Sequence, residues 1–118
     1  MAEWTPVNIA KLAGLLEGEG CFYQGSGRYP SPIITVAMSD RDVIDWMASM
    51  FNRAVDVHTK RGLAGDGLGV KTLYRTRITG SYAIGILQTI YRFMGVRRRK
   101  KIRELIETWR ARPYKRAR

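Results

Sequence analysis

Residues 12–20 read LAGLLEGEG, followed at residues 21–23 by CFY, which has the composition of a strand. At about 100° per residue, Ile9, Leu12, Ala13 and Leu16 form an apolar stripe on a helix, and Ala10, Gly14 and Gly18 form a separate strip. The helix therefore has two packing faces. The stripe covers a core, whereas the strip has almost no side chain to bury and offers close backbone approach by a second helix. Glycine inside a helix costs about 0.5–1 kcal/mol relative to alanine, so Gly14 and Gly18 weaken the helix unless tight packing compensates. Glu19 and Gly20 end it, which sets a carboxylate at the seam. If two copies meet across the strip, two Glu19 carboxylates meet with them. In isolation Glu17 and Glu19 would read as solvated residues at a helix end, and Gly18 and Gly20 as C-cap glycines. Negative charge at a helix C-terminus opposes the macrodipole, a conflict that a bound cation would relieve. Glu17, nearer the side of the helix, reads as structural.

Outward from this stretch, Thr5 and Pro6 are an N-cap and first-turn proline that start the helix. Strands are expected at residues 21–24 and 29–39, paired as a hairpin around the Gly25, Ser26 and Gly27 turn. Ser39 or Asp40 caps a second helix reaching about Asn52, with Val43, Ile44, Met47, Met50 and Phe51 at helical spacing. Two further strands, at residues 54–61 and 71–79, flank a glycine-rich hairpin tip at residues 62–70. Ser81 caps a third helix to about Met94, Gly95 breaks it, and a last helix runs from Val96 to about Ala111, where Pro113 stops it. The order is αββαββα with an extra C-terminal helix, an α+β domain over residues 1–112 with a basic tail at 113–118.

The chain has 118 residues, a formal charge of +11 and a pI near 10.4, which favours a polyanionic partner, above all nucleic acid. The cations cluster in Arg97, Arg98, Arg99, Lys100 and Lys101 and again from Tyr114 to Arg118. A single cysteine, Cys21, argues against disulfides and zinc modules, and the single His58 against a His-rich nuclease centre. Nothing resembles a signal peptide or a membrane span, so an intracellular protein without a membrane partner is expected. Alternation puts Val55 and Val57 on one face of the third strand. On the fourth, Tyr74, Thr76 and Ile78 oppose Lys71, Leu73, Arg75 and Arg77, whose cations can reach phosphates or guanine edges. Tyr23, Thr35, Ala37, His58 and Lys60 are the outward candidates elsewhere; a slip of one residue reverses the faces.

Leu12 to Gly20 resembles the motif of the LAGLIDADG homing endonucleases, and the chain resembles a single-motif, homodimeric member. The departures, Glu at positions 17 and 19 and Gly at position 18, keep the charge and the smallness. The resemblance extends to the element order and implies a curved antiparallel four-stranded sheet seated on double-stranded DNA. It further implies Glu19 and the Gly18 carbonyl as ligands of Mg²⁺ or Mn²⁺, with Ala10, Gly14, Glu17 and Gly18 in the dimer interface. Arg97 or Arg98 takes the place of the family's basic residue beside the active site, and Ser39 that of the polar residue positioning water. Tyr23, Thr35, His58, Lys60, Lys71, Arg75, Arg77, Arg99 and Lys100 become the DNA-binding set. The implied activity is metal-assisted cleavage of both strands of a long, nearly palindromic site, without a small-molecule cofactor. Such an enzyme serves intron or intein mobility in a bacterial or phage-infected cytoplasm or in an organelle. Two readings compete: a DNA-binding regulator or intron-splicing factor that has lost cleavage, and an RNA-binding or ribosome-associated basic protein.

Overall fold

A computed structural model describes residues 2–61 and 70–112. The elements are α1 (Pro6–Glu19), β1 (Gly20–Gln24), β2 (Pro32–Met38), α2 (Arg41–Phe51), β3 (Asp56–Arg61), β4 (Val70–Thr79), α3 (Gly80–Ile90) and α4 (Val96–Ala111), with a short 3₁₀ turn at Tyr91–Phe93. The strands form one antiparallel sheet in the order β1-β2-β4-β3. This is the expected αββαββα order with its extra helix. The loop glycines and the basic tail lie outside the described residues.

Alternation decides what the sheet buries. Phe22, Ile34, Val36, Thr76 and Ile78 face a core filled from the helices by Leu12, Leu16, Ile44, Met47, Leu87 and Ile102, among others. Thr76, the one buried polar residue among those described, donates its hydroxyl to the Ala54 carbonyl at 3.1 Å, which removes most of the cost of burying it. The other face of the sheet carries Cys21, Tyr23, Thr35, Ala37, His58, Lys71, Arg75 and Arg77, and its residues are exposed or half-buried. Val57 is 56% exposed on the edge strand β3, so of the expected pair only Val55 packs against the core.

Four boundaries differ from expectation by two residues or more, one being the third strand, which begins at Asp56 rather than Ala54. The second strand begins at Pro32 rather than Tyr29, because the turn after β1 runs on until the Gly25 amide meets the Ser31 carbonyl at 2.8 Å. The third helix starts at Gly80, not after Ser81: Gly80 takes φ +73°, which lets the chain turn from β4 into α3 at once. It also ends at Ile90, where the chain tightens into the 3₁₀ turn instead of continuing to Met94.

Candidate nucleic-acid interface and catalytic end

The Thr5 hydroxyl accepts from the Asn8 amide at 3.1 Å and opens α1 as an N-cap should. Leu12, Ala13 and Leu16 are buried, while Ala10, Gly14 and Gly18 are exposed, with nothing in the chain near the Cβ position of either glycine. The small strip is thus an open, flat face. Gly20 behaves differently. Its backbone is extended (φ −77°, ψ 157°), so it is not a left-handed cap, yet a Cβ there would lie 2.7 Å from the Leu16 carbonyl oxygen. Glycine is needed at Gly20 for close approach: the chain must fold flat against the end of α1 as it enters β1.

Two electrostatic conflicts at this end cancel each other. Glu17 sits at the C-terminus of α1, where the macrodipole opposes a negative charge, and Arg98 sits in the first turn of α4, where it opposes a positive one. In the fold each meets the other helix's end. The Glu17 carboxylate accepts the amide of Gly95, the N-cap of α4, at 3.0 Å, and Arg98 Nη2 donates to the Glu17 carbonyl at 3.1 Å. The Arg98 guanidinium also stacks 4.9 Å from the centre of the Phe22 ring. Glu17, an expected interface residue, is therefore engaged within its own chain.

The run Arg97–Lys101 divides in space. Arg97, Arg98, Lys100 and Lys101 line one wall of a cleft of about 480 Å³, with Gly20, Cys21 and Phe22 of β1 opposite. Arg99 turns away: its Nη2 donates to the Arg92 carbonyl at 2.9 Å and it stacks on Tyr91. Arg99 and Lys100, both expected to meet DNA, thus stand on different sides of α4, as a rotation of about 100° per residue requires.

Glu19, the last residue of α1, is exposed and has no hydrogen-bond or ion-pair partner among the described residues. The Gly18 carbonyl lies past the last intrahelical bond, from the Gly20 amide to the Leu16 carbonyl. Among the described residues no group of three His, Cys, Asp or Glu side chains comes together. Hard oxygens from Glu19 and Gly18 nonetheless suit a cation such as Mg²⁺, which takes one or two carboxylates and completes its shell with water and phosphate. Ser39, directly after β2, is exposed, whereas its neighbour Met38 packs against the core.

The outer face of the sheet is in register. Cys21, Thr35 and Arg77 form one row across three strands, Ala37, Arg75 and Asp56 the next, then Leu73 with His58 and Lys71 with Lys60. Tyr23 stands opposite Ile33. Asp56, Cys21, Lys101 and Glu104 also belong to these surfaces, beyond the residues expected there. Parity with His58 and Lys60 would have found Asp56, and the helical spacing of Arg97, Lys101 and Glu104 would have found the last two. No described helix is long and apolar enough to cross a membrane.

Neither a protein-family model nor a curated protein matches the chain by sequence. Solved structures do match its fold. One is the group I intron-encoded homing endonuclease I-CeuI complexed with DNA, at a TM-score of 0.63 and 15% identity, over 91% of this chain and 56% of that one. Another is the archaeal intron-encoded homing endonuclease I-Vdi141I complexed with DNA, at 0.55 and 14%, over 92% and 89%. This chain thus spans little more than half the length of the first and most of the second.

Proposed function

We propose that this chain, which has the fold of the LAGLIDADG homing endonucleases, is a site-specific endonuclease of double-stranded DNA that works as a homodimer. One observation carries the reading: Gly20 and Cys21, directly after the exposed Glu19, form a wall of the cleft whose other wall is Arg97, Arg98, Lys100 and Lys101. A carboxylate beside a basic cleft, at the end of a helix with an open glycine strip, suits phosphodiester chemistry at a seam between two copies.

In this reading the outer sheet face enters a DNA groove. Lys71, Arg75 and Arg77 meet phosphates or base edges, and Tyr23, Thr35, His58 and Lys60 fill out the surface. Ala10, Gly14 and Gly18 let a second α1 approach, bringing a second Glu19. Glu19 and the Gly18 carbonyl of each copy would hold Mg²⁺ or Mn²⁺. When bound, such a cation neutralises phosphate charge and acidifies water. Arg97, exposed in the cleft, offsets charge on the phosphate under attack, while Arg98 fixes the α1–α4 junction through Glu17 and Phe22. Ser39 orients water by its hydroxyl. Lys100 and Lys101 hold flanking phosphates, and removal of either weakens binding across all sequences.

Incubating the protein with a randomised duplex library and Mg²⁺, then sequencing the ends, tests this directly. Defined ends at one long, nearly palindromic site are expected. Enrichment of a sequence without cutting would instead select a DNA-binding regulator or splicing factor on the same fold, and neither cutting nor enrichment would refute both.

A further inference from the structure

Asp56 is an acid on a face whose other charged residues are cations, and a surface meant only to attract phosphate would not carry it. It lies across the β3–β4 ladder from Arg75, and Arg75 Nη2 lies 3.2 Å from Asp56 Oδ2. On its other side Arg75 is paired with Ala37, which carries no group that competes for the guanidinium. Arg75 Nε is buried and unpartnered, so this edge of the fork cannot reach a ligand from outside. With one Nη2 bond spent on Asp56, Nη1 and the remaining Nη2 hydrogen are the donors left for a base edge. Arg77, one row away, is exposed and has no acidic partner among the described residues.

We propose that Asp56 is a specificity-determining positioning residue, which holds Arg75 to read a guanine in each half-site instead of reaching for phosphate. The inference rests on the DNA-binding reading above. Two physical effects support it. An exposed arginine has many rotamers and finds phosphate readily, so without a partner it adds affinity for any sequence. Anchored through Nη2, it presents a fixed pair of donors that match the O6 and N7 acceptors of guanine. The carboxylate itself repels phosphate, so non-specific register is disfavoured where Asp56 would meet the backbone. The pair is open to solvent on the Asp56 side and adds little to stability, since water screens such ion pairs.

Selection from a randomised duplex library, run on the wild type, Asp56→Asn and Arg75→Ala, tests the proposal, with a melting curve for each. Wild type is expected to select guanine at one symmetric pair of positions. Arg75→Ala should lose that preference, by about tenfold to a hundredfold per position. Asp56→Asn should relax the same positions while melting as the wild type does and binding non-cognate DNA at least as tightly, with a salt dependence no weaker. A purely structural role predicts the opposite pattern, lower melting and weaker binding to every sequence. An unchanged base profile in Asp56→Asn, with a wild type that does select, overturns the role of Asp56 alone. A wild type that selects no sequence overturns the DNA-binding reading together with it.

Discussion

Gly20→Ala puts a methyl group 2.7 Å from the Leu16 carbonyl oxygen, 2.9 Å from Leu16 Cδ2 and 3.1 Å from Leu16 Cα. Two of those atoms are backbone, so relief requires the end of α1 and the start of β1 to separate. Overpacking of this kind costs about 1–3 kcal/mol. Against it, alanine accepts the extended conformation at Gly20 and restricts the unfolded chain, which returns about 0.4–1 kcal/mol. The net is a destabilisation of about 1–2 kcal/mol, or a fall in Tm of roughly 4–8 °C for a domain of this size. Gly14→Ala is the internal control, because nothing lies near its Cβ position. Mid-helix alanine should raise stability by about 0.5–1 kcal/mol at protein concentrations low enough to keep the chain monomeric. Circular dichroism melts of both variants at low micromolar concentration give opposite signs if the two motif glycines serve different purposes. A Tm for Gly20→Ala equal to or above the wild type would refute the close-approach account. In a working nuclease Gly20→Ala should also lower cleavage by more than its stability loss explains, since Glu19 is its immediate neighbour.

Glu19→Gln should abolish metal-dependent nicking and leave DNA affinity equal or higher; undiminished cleavage would remove Glu19 from the chemistry. Glu17→Ala strips the Gly95 amide of its acceptor, and the loss of about 1 kcal/mol at a helix N-terminus should lower Tm by roughly 3–5 °C. Should that variant melt like the wild type, the Glu17 carboxylate's contact with α4 contributes nothing to stability. Gly14→Leu should prevent self-association, read by sedimentation in the presence of DNA, because the branched side chain fills the strip where a second helix must approach. Leu16→Ala, at a site with no solvent exposure, should cost about 2–5 kcal/mol and show a steep loss in a urea titration.

LAGLLEGEG alone determined that α1 has a buried stripe and a bare strip, and that Glu19 closes it. Period-two alternation determined the two faces of β4, with Arg75 and Arg77 on the outer one. These features are local: a helical stripe, a cap or a strand face depends on residues within a few positions of each other. Tertiary structure decided the rest. Glu17 and Arg98 looked like misplaced charges until α1 and α4, about 80 residues apart in sequence, brought opposite helix ends together. Arg99 and Lys100 were expected to meet DNA together, until Arg99 proved to be held by the Arg92 carbonyl, away from the cleft that Lys100 lines. Gly20 passed for a cap until its distance to Leu16 showed a steric need, and Asp56 went unnoticed until the ladder set it beside Arg75. Helical rotation sets Arg99 apart from Lys100 and parity puts Asp56 on the outer face, but which groups each of them meets depends on elements distant in sequence, and no period encodes that.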